Sequence, residues 1–394
     1  MFQFQFIMEK LKRKKKATGV RKTRKASIPV KVILLLNIIV VLPLLCFYLA
    51  AYIPPDRFWP IAFIGLVYPL LVIVNLLFMI FWLILVRKYF IISLLVILLG
   101  WPQILTHIRF NGPAEIKNNQ SEIKVMSYNV RLFNLYNWKD SKLRISRDKI
   151  FDLIYTEAPD ILCIQEFYAG DKRHFNVIDT LLSFQQTKYF HVSYIRKKNR
   201  QTPFGIAIFS RFPIIHNQEI TSNTPGNNFC IFSDLLIGKD TIRVINTHLE
   251  SIRFGREDYL FVSDIASNRT ENHNISEGSL KIFGKVRRAY RKRAEQARTV
   301  RAEIEKSPYP VILCGDFNDT PSSYTYHKVA QKLEDAFVGA GNGMGKTYAG
   351  IFPSFRIDYI FHDTVFSAYK FRTIKADYSD HYPVTTMLEW TNPR

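Results

Sequence analysis

Residues 311–319 read VILCGDFND, a run typical of a buried strand that passes directly into acidic and amide side chains. A packed strand would not select such residues for its end. Asp316 and Asn318 are two positions apart, so in extended backbone their side chains share one face. A carboxylate beside a carboxamide suits a metal ion or a water molecule together with a phosphate oxygen. This stretch therefore predicts a strand that delivers a polar site at its end.

Similar β-rich runs recur through residues 123–390. They lie at 123–128, 160–165, 205–209, 242–247, 311–314 and 357–361. Helix-like stretches separate several of them, and in one such stretch, 285–306, apolar residues recur at steps of three and four. The pattern indicates a mixed α/β domain without internal repeats.

The β-rich runs end in polar residues of similar chemistry. These residues are Asn129, Gln165, Glu166, Asn246, His248, Asp316, Asn318, Asp358, Asp380 and His381. One Asp after a strand is usually a turn or cap residue, but a set at the same topological position indicates an active site on a rigid sheet. Carboxylates with few His or Cys around them favour Mg²⁺ or Mn²⁺. A zinc hydrolase is the alternative and would need two or three converging His.

Seven motifs in order resemble those of the endonuclease/exonuclease/phosphatase superfamily. They are SYNVRLFN, ILCIQEF, GIAIFSRFPI, INTHLES, ILCGDFND, RIDYIF and SDHYPV. This group contains pancreatic-type DNases, abasic-site endonucleases, neutral sphingomyelinases and inositol-polyphosphate 5-phosphatases, and the resemblance covers residues 123–390. It implies a four-layer α/β sandwich in which two packed mixed sheets are flanked by helices. It also implies phosphoester hydrolysis that depends on Mg²⁺ or Mn²⁺.

The resemblance implies catalytic roles for four residues. His381 would act as general acid and base on the attacking water, and Asp358 would hold its ring in the right tautomer. Asp316 would orient that water together with Asn318. His248 would donate to the charge that builds on the phosphate in the transition state.

Metal and phosphate ligands are implied in the same way. Glu166 would be the main metal ligand, Asp380 would support the metal, and Asn129 would bind both the metal shell and a phosphate oxygen. Asn318 and Arg131 would bind the substrate phosphate. Arg131 stands where the abasic-site endonuclease branch has an acidic residue, so a ligand of that branch is missing. The motifs NVRLFN and NTHLES resemble those of DNase I and of sphingomyelinases more closely.

Residues 32–110 carry few charges and contain three long apolar runs, 32–53, 61–86 and 90–108. Each is long enough to cross roughly 30 Å of hydrocarbon as a helix. Buried helices of a soluble core would show a polar stripe, and a signal peptide would explain one run but not three. The sequence predicts three transmembrane helices, followed by a polar linker at 111–122.

The basic residues indicate an orientation in the membrane. Residues 1–31 hold eleven Lys and Arg and one acidic residue, which predicts a cytoplasmic arm by the positive-inside rule. With three spans, the domain 123–390 would lie outside, in the periplasm or the extracellular space. The rival interpretation of the arm is a nucleic-acid-binding tail.

We therefore predict an integral membrane phosphoesterase that acts on phosphodiester bonds. A nuclease ranks slightly first because the helical stretch 281–306 has ten Lys and Arg against three acidic residues. A phospholipid or inositol-phosphate hydrolase is the alternative, since the anchor brings headgroups within reach. A non-catalytic, anchored polyanion-binding module is the alternative from another class.

Two further patterns are predicted to be structural. AGNGMGKT at 340–347 satisfies a relaxed P-loop pattern, but Gly350 and Pro353 follow too soon for a helix, so a loop is expected. Cys163, Cys230 and Cys314 lie in strand-like surroundings and are expected to be buried free thiols. Residues 251–284 are polar and predict an insertion near the site.

Overall fold

The N-terminal part of the chain is a bundle of apolar helices in this computed structural model. The structure describes residues 28–85, 87–110, 122–137, 144–169, 176–197, 200–221, 230–255, 257–258, 260–261, 272–350 and 356–391. The bundle helices are α1 Ile28–Ala50, α2 Pro60–Ile84, α3 Phe90–Leu99 and α4 Trp101–Leu105. Helix α1 and the Val67–Ile84 part of α2 are long and apolar enough to cross a membrane. Residues 1–27 of the predicted basic arm and 111–121 of the predicted linker lie outside the described residues.

Within its described residues, the structure has two helices long enough to be candidate spans, one fewer than the three predicted, because the run 90–108 is not one continuous helix. Helix α3 ends at Gly100, and α4 begins at once with Trp101-Pro102, because proline cannot donate the helical hydrogen bond and therefore begins a helix instead of continuing one. Gly100 also packs so closely on Tyr48 that an added Cβ would lie 2.0 Å from the tyrosine hydroxyl. Helix α3 has ten residues and is about 15 Å long, half the thickness of a hydrocarbon core.

A buried polar group joins the three longer helices of the bundle. Asn37 Nδ2 donates to Ser93 Oγ over 2.9 Å, and Trp82 Nε1 donates to Asn37 Oδ1 over 3.0 Å. Ser93 Oγ lies 3.4 Å from Asn75 Oδ1. Hydrogen bonds between helices stabilise their packing in an apolar medium, where van der Waals contact is otherwise the main attraction.

The rest of the chain forms two six-stranded sheets packed face to face. The strands are β1 Arg109–Phe110, β2 Glu122–Asn129, β3 Ile161–Tyr168, β4 Tyr189–Lys197, β5 Arg200–Ser210, β6 Ile214–Ile220, β7 Cys230–Ile237, β8 Asp240–His248, β9 Val311–Asp316, β10 Glu334–Asp335, β11 Asn342–Gly343, β12 Asp358–His362, β13 Phe366–Thr373 and β14 Val384–Trp390. The helices are α5 Arg144–Glu157, α6 Val177–Gln185, α7 Asn272–Lys306, α8 Tyr324–Ala330 and α9 Ala336–Ala340. The sheet orders are β10-β12-β9-β8-β7-β6 and β13-β14-β2-β3-β5-β4. Both sheets are mixed, since β8–β9 and β2–β3 are parallel and their other neighbours are antiparallel.

Three apolar cores separate the layers. The core between the sheets contains Val125 and Val244, and Cys163 and Cys314 belong to it as buried free thiols, as predicted. A second core packs one sheet on α7 and α8, and a third packs the other sheet on α5 and α6. The order of layers is helix, sheet, sheet, helix, which confirms the predicted four-layer α/β sandwich.

Two sequence patterns can be compared directly with the structure. Helix α7 begins at Asn272 and therefore extends the predicted basic helix 281–306 by nine residues towards the N-terminus. The P-loop-like stretch 340–347 follows the short helix α9 and contains β11, and no helix begins in the described residues 344–350. The prediction of a loop is confirmed over those residues.

The bundle packs directly on the sandwich. Gln103 Nε2 donates to the carbonyl of Pro321 over 2.9 Å, and Arg356 Nη2 donates to the carbonyl of Thr106 over 2.7 Å. Arg298 forms a two-contact ion pair with Asp56, in the connection between α1 and α2, at 3.0 and 3.2 Å. Strand β1, which follows α4, pairs with β11. The sandwich therefore contacts the end of the bundle formed by the α1–α2 connection and α4.

Candidate active site

The central strands of the two sheets bring the predicted polar residues to one edge of the sandwich. Asn129 ends β2, and His248 and Asp316 end the parallel strands β8 and β9, where they lie opposite each other. Asp358 begins β12 and lies opposite Asp316 on its other side. The side chains of Asn129 and Asp316 meet across the two sheets, because Asn129 Nδ2 donates to Asp316 Oδ2 over 3.0 Å. The convergence expected from the sequence therefore occurs.

His381 and Asp358 form a buried pair. His381 Nδ1 lies 3.1 and 3.0 Å from the two carboxylate oxygens of Asp358, and its Nε2 lies 3.6 Å from Asp316 Oδ2. Burial lowers the pKa of the His381 imidazole, but the carboxylates of Asp358 and Asp316 outweigh burial and raise that pKa well above its ordinary value. Because a carboxylate only accepts, Nδ1 is the donor, and Nε2 is the nitrogen that faces Asp316.

Asp316 is completely buried at the centre of the site. It accepts hydrogen bonds from the backbone N–H of Asn318 at 2.8 Å and from Asn318 Nδ2 at 3.2 Å. Burial raises the pKa of the Asp316 carboxyl, the imidazoles of His381 and His248 oppose that rise, and Asp358 adds to it. Asn318 has a left-handed backbone, with φ of 52°, and its amide also donates to the carbonyl of Leu249. The side chains of Asp316 and Asn318 meet as expected, but they do so across a turn after β9 and not along extended backbone.

Glu166 occupies a strained position on β3. Its φ is 49°, in the left-handed region that costs a non-glycine residue roughly 1–2 kcal/mol, and the pairing of β3 with β5 shifts register between Ile164 and Phe167. Its carboxylate is 35% exposed, and Oε1 lies 3.9 Å from His248 Nε2. That nitrogen is buried, lies 3.6 Å from Asp316 Oδ2, and has no hydrogen-bond partner within the described part of the chain.

Arg131 and Asp380 lie next to this set. Arg131 Nε is 3.5 Å from Asp380 Oδ2, and the backbone N–H of Arg131 donates to Asn129 Oδ1 over 3.0 Å. Arg131 begins a run of four left-handed residues, 131–134, which turns the chain sharply after β2. The Ser379 hydroxyl donates to the carbonyl of Asn129, so the loop before His381 is fixed to the end of β2.

A cavity of about 550 Å³ opens above these groups. The predicted site residues in its lining are Glu166, Asp316, Asn318, Asp380 and His381. The other four contact that set from the side or from behind: Asn129 and His248 through Asp316, Asp358 through His381, and Arg131 through Asp380. All nine predicted site residues therefore belong to one connected cluster.

Two polar residues that looked like site residues in the sequence are structural. Gln165 Nε2 donates to Asn246 Oδ1 over 2.7 Å, and Asn246 Nδ2 donates to the carbonyls of Ile164 and Ala207. Both side chains are completely buried between the sheets. They satisfy backbone groups at the shifted register of β3, so their presence near the site is explained without a catalytic role.

Three residues near His381 and Asp358 were not expected from the sequence. Thr347 Oγ1 accepts from the backbone N–H groups of Ile357 and Asp358, so the P-loop-like stretch supports the site through its last residue. The Tyr348 ring meets the His381 ring edge-on, with centroids 5.5 Å apart. Ser379 lies within SDHYPV and could have been noticed there, whereas no sequence pattern points to Thr347 or Tyr348.

The donor set is suited to a hard metal ion. Asp316, Asp358 and His381 each offer one ligand atom, and those atoms all lie within 4.8 Å of one another. Glu166 and Asp380 add two partly exposed carboxylates on the wall of the same cavity. Oxygen donors dominate this set, which fits Mg²⁺ or Mn²⁺ better than zinc.

Family comparison agrees with this geometry. Residues 126–381 match the Endonuclease/Exonuclease/phosphatase family, and residues 30–107 match a domain of unknown function. The chain belongs to the endonuclease/exonuclease/phosphatase family. This confirms the resemblance seen in the motifs. Members of the endonuclease/exonuclease/phosphatase family hydrolyse phosphoester bonds and typically use a divalent metal ion.

Solved structures of the endonuclease/exonuclease/phosphatase fold resemble the sandwich. A family protein from Bacteroides thetaiotaomicron is 18% identical, with a TM-score of 0.50 over 70% of this chain and 100% of that one. The catalytic domain of human Nocturnin with bound sulfate is 19% identical, with a TM-score of 0.48 over 70% and 96%. A mannosyl-6-phosphatase from B. thetaiotaomicron is 16% identical, with a TM-score of 0.48 over 68% and 100%. No curated protein matches this chain.

Proposed function

We propose that the protein is a membrane-anchored phosphoesterase that depends on a divalent metal ion. The observation that supports this most is the buried chain of Asp358, His381 and Asp316 beneath a cavity whose wall also contains Glu166. A buried carboxylate with a raised pKa, such as that of Asp316, next to a paired imidazole is typical of hydrolytic sites. The substrate is a phosphoester, and phosphodiester hydrolysis is the expected reaction.

Glu166 and Asp380 would hold the metal ion, with Asn129 in its surroundings. When bound, the ion supplies positive charge to the phosphate oxygens and to the leaving group. The exposure of both carboxylates on the cavity wall supports this assignment, and Glu166 retains its strained backbone at the same place. Backbone strain that persists at a cavity is a common feature of functional sites.

His381 acts as the general base and general acid for the attacking water. Asp358 accepts from Nδ1, which leaves Nε2 to take a proton from the attacking water and later to return one. Asp316 lies 3.6 Å from Nε2 and is held by Asn129 and Asn318, so it orients the water on the same side.

The phosphate charge is met by nitrogen donors around the cavity. The unpartnered Nε2 of His248 is available to donate to a phosphate oxygen, as are the free N–H groups of the Arg131 guanidinium; both hydrogens of Asn318 Nδ2 are used by Asp316 and the carbonyl of Leu249. Fixed donors that face the charge formed in the transition state stabilise it more than water does.

The anchor is proposed to hold the sandwich on the side opposite the basic arm. The sandwich contacts the α1–α2 connection and α4, whereas the start of α1 and the turn after α2 lie at the far end, where Trp82 contacts Asn37 and Tyr89. Helix α3, Gly100 and α4 together span residues 90–105, about 24 Å of helix, back towards the sandwich. With the arm in the cytoplasm, the catalytic domain lies in the periplasm or outside the cell.

The test uses the full-length protein in detergent with plasmid DNA, RNA, sphingomyelin micelles and a chromogenic phosphodiester. We expect hydrolysis of at least one substrate with Mg²⁺ or Mn²⁺, none with EDTA, and none in His381→Ala or Glu166→Ala. The control is His216→Ala, an exposed histidine on β6. Salt-dependent binding of polyanions without any metal-dependent product would instead support the binding module.

A nuclease is the second candidate, and one observation favours it. Helix α7 contains the predicted basic stretch 281–306, and seven of its ten basic side chains form ion pairs. The other three, Arg287, Arg288 and Arg291, are exposed along one side of the helix. A row of exposed arginines can neutralise the phosphates of a nucleic acid. Cleavage of DNA or RNA in the same assay, weakened when these three arginines are replaced by Gln, would support this candidate.

A further inference from the structure

The active-site cavity is shared between the sandwich and the bundle. Besides its polar residues, its lining contains apolar side chains, among them Phe63, Ile252, Phe254, Ile282 and Val286. We propose that the substrate is an amphiphile, a phosphoester with a hydrocarbon chain that packs against these apolar side chains. The inference rests on the proposed phosphoesterase function and adds the substrate class.

The elements that carry the lining side chains support an amphiphile. The carboxylates and His381 come from strand ends and the loops next to them, whereas Phe63 comes from α2 and Ile282 and Val286 come from α7. A volume of about 550 Å³ is within the usual range for small-molecule sites, in which apolar walls provide most of the contact and a few polar groups fix the orientation. A nucleotide chain or a sugar has no hydrocarbon to pack against these apolar side chains, whereas an alkyl chain removes them from water.

Phe63 places these apolar side chains at the end of the membrane helices. It lies in the first turn of α2, and its ring stacks on Phe283 of α7 with centroids 4.4 Å apart. Trp59, just before α2, meets Phe283 edge-on at 4.8 Å. Aromatic side chains at the ends of transmembrane helices lie at the level of the lipid headgroups. A hydrocarbon chain can therefore reach the cavity from the bilayer without crossing water.

A basic face of α7 lies beside the same junction. Arg287, Arg288 and Arg291 line a groove of about 720 Å³ together with Asp56 of the α1–α2 connection. The Arg287 guanidinium lies over the Trp59 ring, 5.2 Å from its centroid. Cations at this level attract anionic headgroups. The apolar surface thus favours a lipid phosphoester over a soluble one, and the basic face is compatible with an anionic headgroup.

The test compares two diesters with the same leaving group, 4-nitrophenyl hexadecyl phosphate and 4-nitrophenyl methyl phosphate. The full-length protein in mixed micelles is expected to show a kcat/KM at least about a hundredfold higher for the hexadecyl ester, since many methylene groups are buried. Phe63→Ala and Ile282→Asn should each reduce that preference about tenfold or more. The matched control is Leu70→Ala, an exposed apolar residue of α2 outside the cavity, which should keep the wild-type preference.

A binding measurement keeps the test independent of activity and of the folding of the variants. Hexadecyl phosphate should raise the Tm of the wild-type protein, and methyl phosphate at the same concentration should not. Equal hydrolysis of both diesters, with no effect of Phe63→Ala, would overturn the amphiphile and leave the phosphoesterase intact. Cleavage of nucleic acid with neither diester hydrolysed would overturn the amphiphile in favour of a nuclease. Failure to hydrolyse any phosphoester would overturn both proposals.

Discussion

Replacing Asp358 by Asn tests the most specific part of the proposed mechanism. Asp358 is buried, and both carboxylate oxygens lie within 3.1 Å of His381 Nδ1. Asn keeps the shape of the side chain and the backbone hydrogen bond to Thr347 Oγ1. Its amide N–H can instead point at Nδ1, which would move the ring proton to Nε2 and prevent that nitrogen from accepting a proton.

The size of the effect follows from the role of the pair. General acid and base catalysis is worth roughly 10²–10⁴ in rate, which corresponds to about 3–5 kcal/mol of transition-state stabilisation. We expect Asp358→Asn to lose kcat within this range. Asp358 also raises the pKa of His381, so its removal should shift the ionisation of His381 in the pH–rate profile to lower pH.

The assay is the kcat of full-length protein with a chromogenic phosphodiester between pH 5 and 9, with Asp363→Asn as control. Asp363 follows the same strand, β12, and does not line the cavity. Excess Mg²⁺ should not restore the variant, because the lost function is the orientation of His381. A kcat within threefold of wild type with an unchanged pH profile would refute the reasoning, and full rescue by Mg²⁺ would make Asp358 a metal ligand.

Three further predictions concern stability. Glu166→Gly should raise the free energy of unfolding by about 1 kcal/mol because glycine tolerates the left-handed backbone, and it should abolish turnover. Chemical denaturation measures the free energy of unfolding, and a variant no more stable than Glu166→Ala would contradict the prediction. Burial lowers the pKa of His327 to about 4, so as the pH falls the unfolded chain binds this proton before the folded protein does. The free energy of unfolding should therefore decrease below about pH 6.5, by roughly 2 kcal/mol at pH 5. Thermal melts of wild type and His327→Gln should diverge over this pH range, and parallel curves would disprove the prediction. Arg356→Met should cost about 3–5 kcal/mol because it leaves Asp335, 2.7 Å away, as a buried unpaired charge; adding Asp335→Asn should recover most of the loss in denaturant melts, and no recovery would argue against the pair.

The sequence was sufficient for the residues that lie directly on regular strands. His248 and Asp316 end neighbouring parallel strands, so the pairing of β8 with β9 brings them together, and Asn129 ends the central strand β2 of the facing sheet. The paired Asp358 and His381 follow from motifs that resemble a known family. These parts depend on local geometry, which a short stretch of sequence determines.

Strand alternation alone could not distinguish Gln165 from Glu166, and only the resemblance to the family singled out Glu166. Alternation along a regular strand puts neighbours on opposite faces, but β3 shifts register there and Glu166 adopts a left-handed backbone. As a result Gln165 points between the sheets and Glu166 faces the cavity. Nothing in ILCIQEF marks this irregularity, because it results from the pairing of β3 with β5.

The errors in the bundle have a similar origin. Hydropathy alone joins 90–108 into one span, because it does not register that Gly100 and Pro102 interrupt the helix. Phe63 belongs to a run that looked like membrane anchor only, and its place in the cavity depends on the packing of α2 against α7. Contacts between distant segments of this kind follow from the folded arrangement.

The pairing of β1 with β11, just after the bundle, has a consequence for kinetics. A free linker would let the catalytic domain rotate and sample the solution, but here Arg109 and Phe110 are paired with β11, and Arg356 binds the preceding carbonyl of Thr106. The cavity therefore stays at a constant height above the plane of the bundle ends. If the lipid phosphoester proposed above is the substrate, the enzyme encounters it in two dimensions. Its rate then follows the mole fraction of substrate in the surface, so inert lipid slows it at constant bulk concentration.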